Sequence, residues 1–113
     1  MTTQTISLNL IPHGIKPVIH VSQFDSGQTW IFNLKLENEF YQIPAEASIT
    51  IQGTLKDGTT FKDACTYSGY QITAKETGQM TRLSGDVPAE LRIEKGDAVI
   101  GTLNFIIRVE QAA

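Results

Sequence analysis

Residues 98–109 read Ala98-Val99-Ile100-Gly101-Thr102-Leu103-Asn104-Phe105-Ile106-Ile107-Arg108-Val109, and this stretch decides the fold class. Side chains on an extended chain alternate sides at every residue, so Val99, Leu103, Phe105, Ile107 and Val109 fall on one face. Ile100 and Ile106 lie on the other face, which predicts that part of this strand is covered on both sides. No helical spacing accounts for the pattern. The whole run is a buried strand.

The same period of two recurs upstream. Trp30, Phe32, Leu34 and Leu36 alternate with Asn33, Lys35 and Glu37 across Thr29–Glu37. Ile49, Ile51 and Leu55 alternate with Ser48, Thr50, Gln52 and Thr54, and Val87, Ala89, Leu91 and Ile93 alternate with Glu90, Arg92 and Glu94. Shorter candidates are Ile6–Leu10, Val18–Val21, Phe61–Tyr67 and Tyr70–Lys75. Turn chemistry stands between the runs. Lys56-Asp57-Gly58, Ser68-Gly69 and Lys95-Gly96-Asp97 supply residues that tolerate positive φ in tight hairpins. Pro12, Gly14 and Pro17 break the chain after the first strand, and Pro44 keeps its segment off a central ladder. Gly53 and Gly101 interrupt strand patterns and mark bulges or close backbone approach. Only Glu76–Leu83 departs from strand character. It predicts one short helical turn near residues 76–83, with Met80 and Leu83 capping an open end of the core.

About eight short strands separated by turns predict an all-β fold: a two-sheet antiparallel β-sandwich, immunoglobulin-like in architecture, with a small barrel as the alternative. The Cys…Trp…Cys arrangement of antibody domains is absent, so the immunoglobulin likeness is architectural only. At 113 residues the chain reads as a single domain over 1–113, with residues 1–4 disordered. Apolar residues make up 41% of it, enough for a core without disulfide or metal.

Composition narrows the function. The formal net charge is −3 and the nine basic residues are scattered singly, so no phosphate-tracking stripe forms and no nucleic-acid partner is expected. No apolar run approaches the roughly 20 residues of a membrane helix, and no secretion signal is read at the start. Cys65 is the single cysteine, which excludes an intramolecular disulfide.

Catalytic and metal constellations are likewise missing. Nucleophilic catalysis needs a nucleophile beside a base that a third group orients. The histidines are His13, read as a solvated loop residue, and His20, which points opposite Ile19 and Val21 as a surface strand residue. Cys65 reads as a small, buried, inert side chain. Two histidines and one cysteine at no ligand spacing make no zinc site, and Asp57-Gly58 lacks the acidic periodicity of a calcium loop. Glu90 and Glu94 flank Arg92 as ordinary surface charge. The glycines form no phosphate-cradling motif. The expectation is no enzyme, no cofactor and no metal. The remaining candidates are aromatic: Phe24, Phe40, Tyr41, Tyr67 and Tyr70 lie at or beside turns, where they cap the core, line a protein interface or form a sugar platform. Of these, Phe24, Phe40, Tyr41 and Tyr70 are the partner-interface candidates.

The order of segments adds a resemblance. Tyr41-Gln42-Ile43-Pro44-Ala45-Glu46-Ala47 leads into Ile49-Thr50-Ile51-Gln52-Gly53-Thr54, followed by Lys56-Asp57-Gly58 and Phe61. Gln79-Met80-Thr81, Gly85-Asp86-Val87 and Glu90-Leu91 come next, and the chain closes with Ile100-Gly101-Thr102 and Asn104-Phe105-Ile106-Ile107-Arg108-Val109-Glu110. From Thr5 to Glu110 this succession resembles the N-terminal domain of the phage baseplate upper protein family of tailed phages and prophages of Gram-positive bacteria. The resemblance implies a β-sandwich made in the host cytoplasm that docks in the virion, at the tail or baseplate. Its partners would be other tail proteins, it would form a homo-oligomer in the assembled particle, and it would position receptor-binding parts. It assigns no catalytic residue. The rival readings are a carbohydrate-binding module contacting host-wall saccharide and, last, a small glycosidase.

Overall fold

A computed structural model describes residues 3–11 and 14–112 of the protein. Pro12, His13 and the first two residues of the 1–4 segment lie outside the described residues, and with them the readings placed there. Nine strands form in chain order: β1 (Thr3–Asn9), β2 (Val18–Ser22), β3 (Thr29–Leu36), β4 (Glu39–Phe40), β5 (Ser48–Thr54), β6 (Thr60–Ser68), β7 (Gln71–Lys75), β8 (Gly85–Lys95) and β9 (Ala98–Glu110). Every alternating run in the sequence is a strand. The two-residue β4, which pairs with the end of β3, is too short for periodicity to reveal.

The strands do not divide into two facing sheets. They form one sheet in the order β1-β3-β7-β6-β5-β8-β9-β2, with β4 beside β3, and this sheet curls until it nearly closes into a barrel. The expected immunoglobulin-like sandwich is therefore wrong, and β6 is the reason. Residues Thr60–Cys65 of β6 pair with β5, while Thr66–Ser68 of the same strand pair with β7. One continuous strand thus carries the ladder from one wall to the other. The all-antiparallel expectation also fails, because β1 runs parallel to β3 and β2 parallel to β9. These two parallel pairs place β1 and β2 at the two ends of the sheet. A side chain of β1 reaches β2 across the seam, where Gln4 Nε2 donates to the carbonyl of His20 at 2.8 Å.

The inner face holds the core. Trp30, Phe32 and Leu34 of β3 face Leu103, Phe105, Ile107 and Val109 of β9, all buried. The rings of Phe32 and Phe105 meet at 5.1 Å between centroids, tilted by 53°. Their strands are not neighbours in the sheet, so the contact spans the barrel interior and fills it, as small barrels require. The Glu76–Leu83 segment forms turns and no helix. Its polar groups are taken by other segments: the Glu76 backbone pairs with Gly27 and Gln28, and the hydroxyl of buried Thr81 donates to the carbonyl of Asp25 at 2.6 Å. Met80 does plug the core, fully buried.

A bulge corrects one further expectation. Ile93 pairs with Gly101 but Glu94 pairs with Val99, so Ile100 is an extra residue in β9. An inserted residue reverses the alternation beyond it. Val99 is turned out of the core face on which its parity places it, and is exposed. Both strand glycines mark close approaches. A Cβ on Gly101 would lie 2.6 Å from Leu10 Cδ2, and one on Gly53 would lie 2.7 Å from Phe61 Cε2 and 2.8 Å from the carbonyl oxygen of Pro88. Since the Pro88 oxygen is backbone inside a paired strand, it cannot yield cheaply. Gly53→Ala is expected to lose about 1–3 kcal/mol in urea unfolding, whereas Gly78→Ala, with open space around its Cβ, stays within about 0.5 kcal/mol of the parent.

Candidate interaction surfaces

Strand polarity sorts the surface into two ends. β1, β3, β6 and β8 run one way, and β2, β4, β5, β7 and β9 the other. One end, the lower, carries the connections 23–28, 55–59 and 76–84. Of the described residues, the upper end carries 10–11, 14–17, 37–38, 41–47, 69–70 and 96–97.

The sequence candidates separate accordingly. Phe24 stands alone at the lower end, 68% exposed, at φ 71°, a conformation that costs a non-glycine residue of order 1 kcal/mol. Phe40 and Tyr70 come together at the upper end, stacked at 4.2 Å between centroids and 18° between planes. Lys35 Nζ lies over the Phe40 ring at 5.2 Å, within cation–π range. Tyr41 instead packs half-buried against the core. Tyr67 pins the 41–47 connection, since its hydroxyl donates to the Pro44 carbonyl at 2.9 Å and accepts from the Ala47 amide at 3.1 Å. Four aliphatic residues join the upper end: Leu36 and Val99, which the alternation places on the core face, and Ile11 and Ile15, which it leaves unassigned. Ile11, Ile15, Leu36 and Val99 are exposed there with Phe40, Ile15 to 94%. Ile15 was legible as an apolar residue between Gly14 and Lys16 in a break; Val99 was not, because the bulge is invisible in the pattern.

The outer face of β6, β5, β8 and β9 carries a polar row instead. Lys62, Gln52, Glu90 and Asn104 are directly opposite one another across four strands, and Gln52 donates to Glu90. With Lys16 they line a shallow trough of about 440 Å³. A second cavity of about 260 Å³ lies between β1 and β9, lined by Ser7, Leu8, Asn9, Thr102, Leu103 and Asn104 together with Gly14–Pro17.

Nothing in these surfaces assembles a reaction centre. His20 is exposed on β2 and Cys65 is half-buried on β6, and these strands are not neighbours. Burial pushes the Cys65 thiol up to about 12, with the Asp63 charge adding to it, so the thiolate needed for nucleophilic chemistry is scarce. Among the described residues no three His, Cys, Asp or Glu side chains cluster to hold a metal ion. All three arginines are engaged: Arg82 with Asp57 at 2.8 Å, Arg92 with Glu94 at 2.9 Å and Arg108 with Asp86 at 2.8 Å. Those partners hold Asp57 and Asp86 below the usual carboxylate range.

The lower end contains the one carboxylate that works against its surroundings. Glu76 is 3% exposed; its Oε1 accepts from the Gln28 amide at 3.2 Å, and its Oε2 has no partner among the described residues. Gln28 Oε1 in turn accepts from Trp30 Nε1 at 3.2 Å and Gln4 Nε2 at 2.8 Å, tying this network to the barrel seam. Burial raises the Glu76 carboxyl above its ordinary 4.5, the nearby Asp25 charge adds to the rise, and the Gln28 amide opposes it.

No family model matches the sequence, and no curated protein matches it. Among solved structures the chain resembles the N-terminal domain of ORF48 of phage TP901-1, with a TM-score of 0.74 over 97% of this chain and 99% of that one, at 10% identity. The likeness read from the order of segments is thus borne out in the fold, which resembles that of the N-terminal domain of a phage baseplate protein.

Because the folded state favours protonated Glu76, its contribution to stability is full below about pH 4.5 and is lost as pH rises through the raised folded value. Glu76→Gln keeps an acceptor for Gln28 and removes the buried charge. The variant is expected to exceed the parent in stability by about 1 kcal/mol at pH 7, with the difference vanishing below pH 4.5. Urea midpoints of both proteins across pH 3–8 check this, and the paired aspartates cancel in the comparison.

Proposed function

We propose that the domain is a structural module of a phage virion, seated in the tail or baseplate, which works by protein–protein contact and performs no catalysis. The observation that carries this reading is the correspondence over essentially both full chains with a baseplate-protein domain. Two features of the surface support it. Exposed aliphatic and aromatic residues gather at the upper end, and aromatic residues in such patches dominate interface energetics. The arginines are held in pairs with carboxylates, leaving no cluster for acid–base work or phosphate binding.

The stacked Phe40 and Tyr70 rings favour a protein partner over a saccharide. A sugar platform presents free ring faces, whereas Phe40 gives one face to Tyr70 and is also engaged by Lys35. In a ring or trimer of copies, weak contacts from each upper end would add as avidity, so a rigid barrel of modest contact area suffices to position receptor-binding parts.

Purified domain is expected to associate at micromolar concentration with a tail or baseplate protein of the same phage in sedimentation or surface-binding assays. The pair Leu36→Ser with Phe40→Ser weakens that association at least tenfold, and Phe24→Ser leaves it unchanged. Absence of association with every baseplate protein of that phage, or glycan-array binding lost on changing Tyr70, refutes the reading.

A further inference from the structure

We infer that Glu76 is a pH-sensitive clasp: protonated, its carboxyl locks residues 26–28 and, through Gln28, the joint between β1 and β2; ionised, it releases them. The clasp is built where the lower-end connections 23–28 and 76–84 meet. The Gly27 amide donates to the Glu76 carbonyl at 3.1 Å, and the Glu76 amide donates to the Gln28 carbonyl at 2.9 Å. The carboxyl completes it, because Glu76 Oε1 accepts from the Gln28 amide at 3.2 Å.

Gln28 relays the state of that carboxyl. Its amide is held by Glu76, while its own side-chain oxygen accepts from Trp30 Nε1 at 3.2 Å and Gln4 Nε2 at 2.8 Å. The same Gln4 nitrogen donates to the His20 carbonyl at 2.8 Å. β1 and β2 stand at the two ends of the sheet, and among the described residues no ladder joins them. The Gln4 side chain is what ties one to the other at this level. A carboxyl in one connection is thereby linked, through a single residue, to the seam of the barrel and to the chain's one tryptophan.

The carboxyl is seated for its neutral form. Glu76 is 3% exposed, and its Oε2 has no partner among the described residues. A buried carboxylate oxygen without a donor is costly, whereas a protonated carboxyl leaves no charge to solvate. Asp25, in the connection that Glu76 clasps, is the charged group that bears on it, and its sign is the same. β1 and β3 present the neutral Gln4 and Trp30, Lys75 of β7 is exposed, and Arg82 is held by Asp57. Ionisation therefore drives the carboxylate out toward water, and the Gln28 amide loses its acceptor. The release is local, since Thr81 still donates to the Asp25 carbonyl at 2.6 Å and accepts from the Phe24 amide at 3.0 Å. The clasp is independent of the virion reading.

An NMR titration of the full chain from pH 4 to 8 tests it. The Gln28 backbone amide, the Trp30 indole N–H and the Gln4 side-chain amide are expected to titrate together, with one midpoint above pH 4.5. On the high-pH side the indole should lose at least tenfold of its protection against exchange while the far-ultraviolet dichroism stays native. Glu76→Gln removes all three steps and keeps the indole protected throughout. His20 is retained in that variant, so a step that survives there belongs to another group. Asp25→Asn lowers the common midpoint, because a like charge is taken from beside the clasp. Gln28→Ala leaves the amide of residue 28 titrating and uncouples Gln4 from it. The inference is overturned if no signal titrates, if the steps persist in Glu76→Gln, or if the Gln28 amide titrates while Trp30 and Gln4 do not. Where Glu76→Gln does not fold, an Asp25→Asn midpoint equal to the parent's overturns it instead.

Discussion

Between Cys65 and Thr66 the hydrogen-bonding partner of β6 changes from β5 to β7, and the rest of the architecture depends on that exchange. A strand shared by two walls forces the sheet to turn a corner, and the corner brings β3 round to face β9. Only then do the rings of Phe32 and Phe105 come within 5.1 Å of each other. Inward side chains that would each bury one flat face instead converge on a common interior. Where β6 leaves β7, the walls splay, and the 76–83 segment closes the opening with Met80. The backbone and hydroxyl bonds that segment makes to residues 24–28 explain why it is not helical: its polar groups are already committed to a different chain segment.

The period of two made every strand longer than two residues legible, together with most of the core, because it depends only on which side of the backbone a side chain leaves. Curvature was not legible. A sandwich and a barrel bury the same alternate residues, and they differ in partners far apart in sequence: the exchange along β6, the parallel pairing of β1 with β3 and of β2 with β9. Gly53 and Gly101 were readable as close approaches because a missing side chain inside a strand has few other uses. The outward turn of Val99 was hidden, since one extra residue at Ile100 reverses parity without altering composition.

Functional surfaces were less legible for the same reason. Phe40 and Tyr70 are thirty positions apart in sequence yet meet because β4 and β7 follow one another along the same edge of β3, where Leu34 bonds to both Tyr41 and Tyr70, while Tyr41, the immediate neighbour of Phe40, turns toward the core. Which of the aromatic candidates share a surface is decided by strand pairing, which adjacency along the chain does not report.

The two ends of the barrel differ in how completely they are held. The lower end is cross-braced: Gln4, Gln28 and Trp30 share one network, Thr81 and Glu76 hold residues 25–28, and the Arg82–Asp57 and Arg108–Asp86 pairs stitch turns and strand ends together. Exposed ion pairs each contribute little, about 0–1 kcal/mol, but side-chain bonds that cross from one segment to another also fix geometry. The upper end has fewer such braces and leaves apolar side chains uncovered. An uncovered apolar patch is a liability for an isolated domain, since it invites unwanted association. The liability disappears when a partner covers the patch. Bracing at one end lets the other remain incomplete without loosening the fold, and that asymmetry suits a module whose role is to be held in a larger assembly.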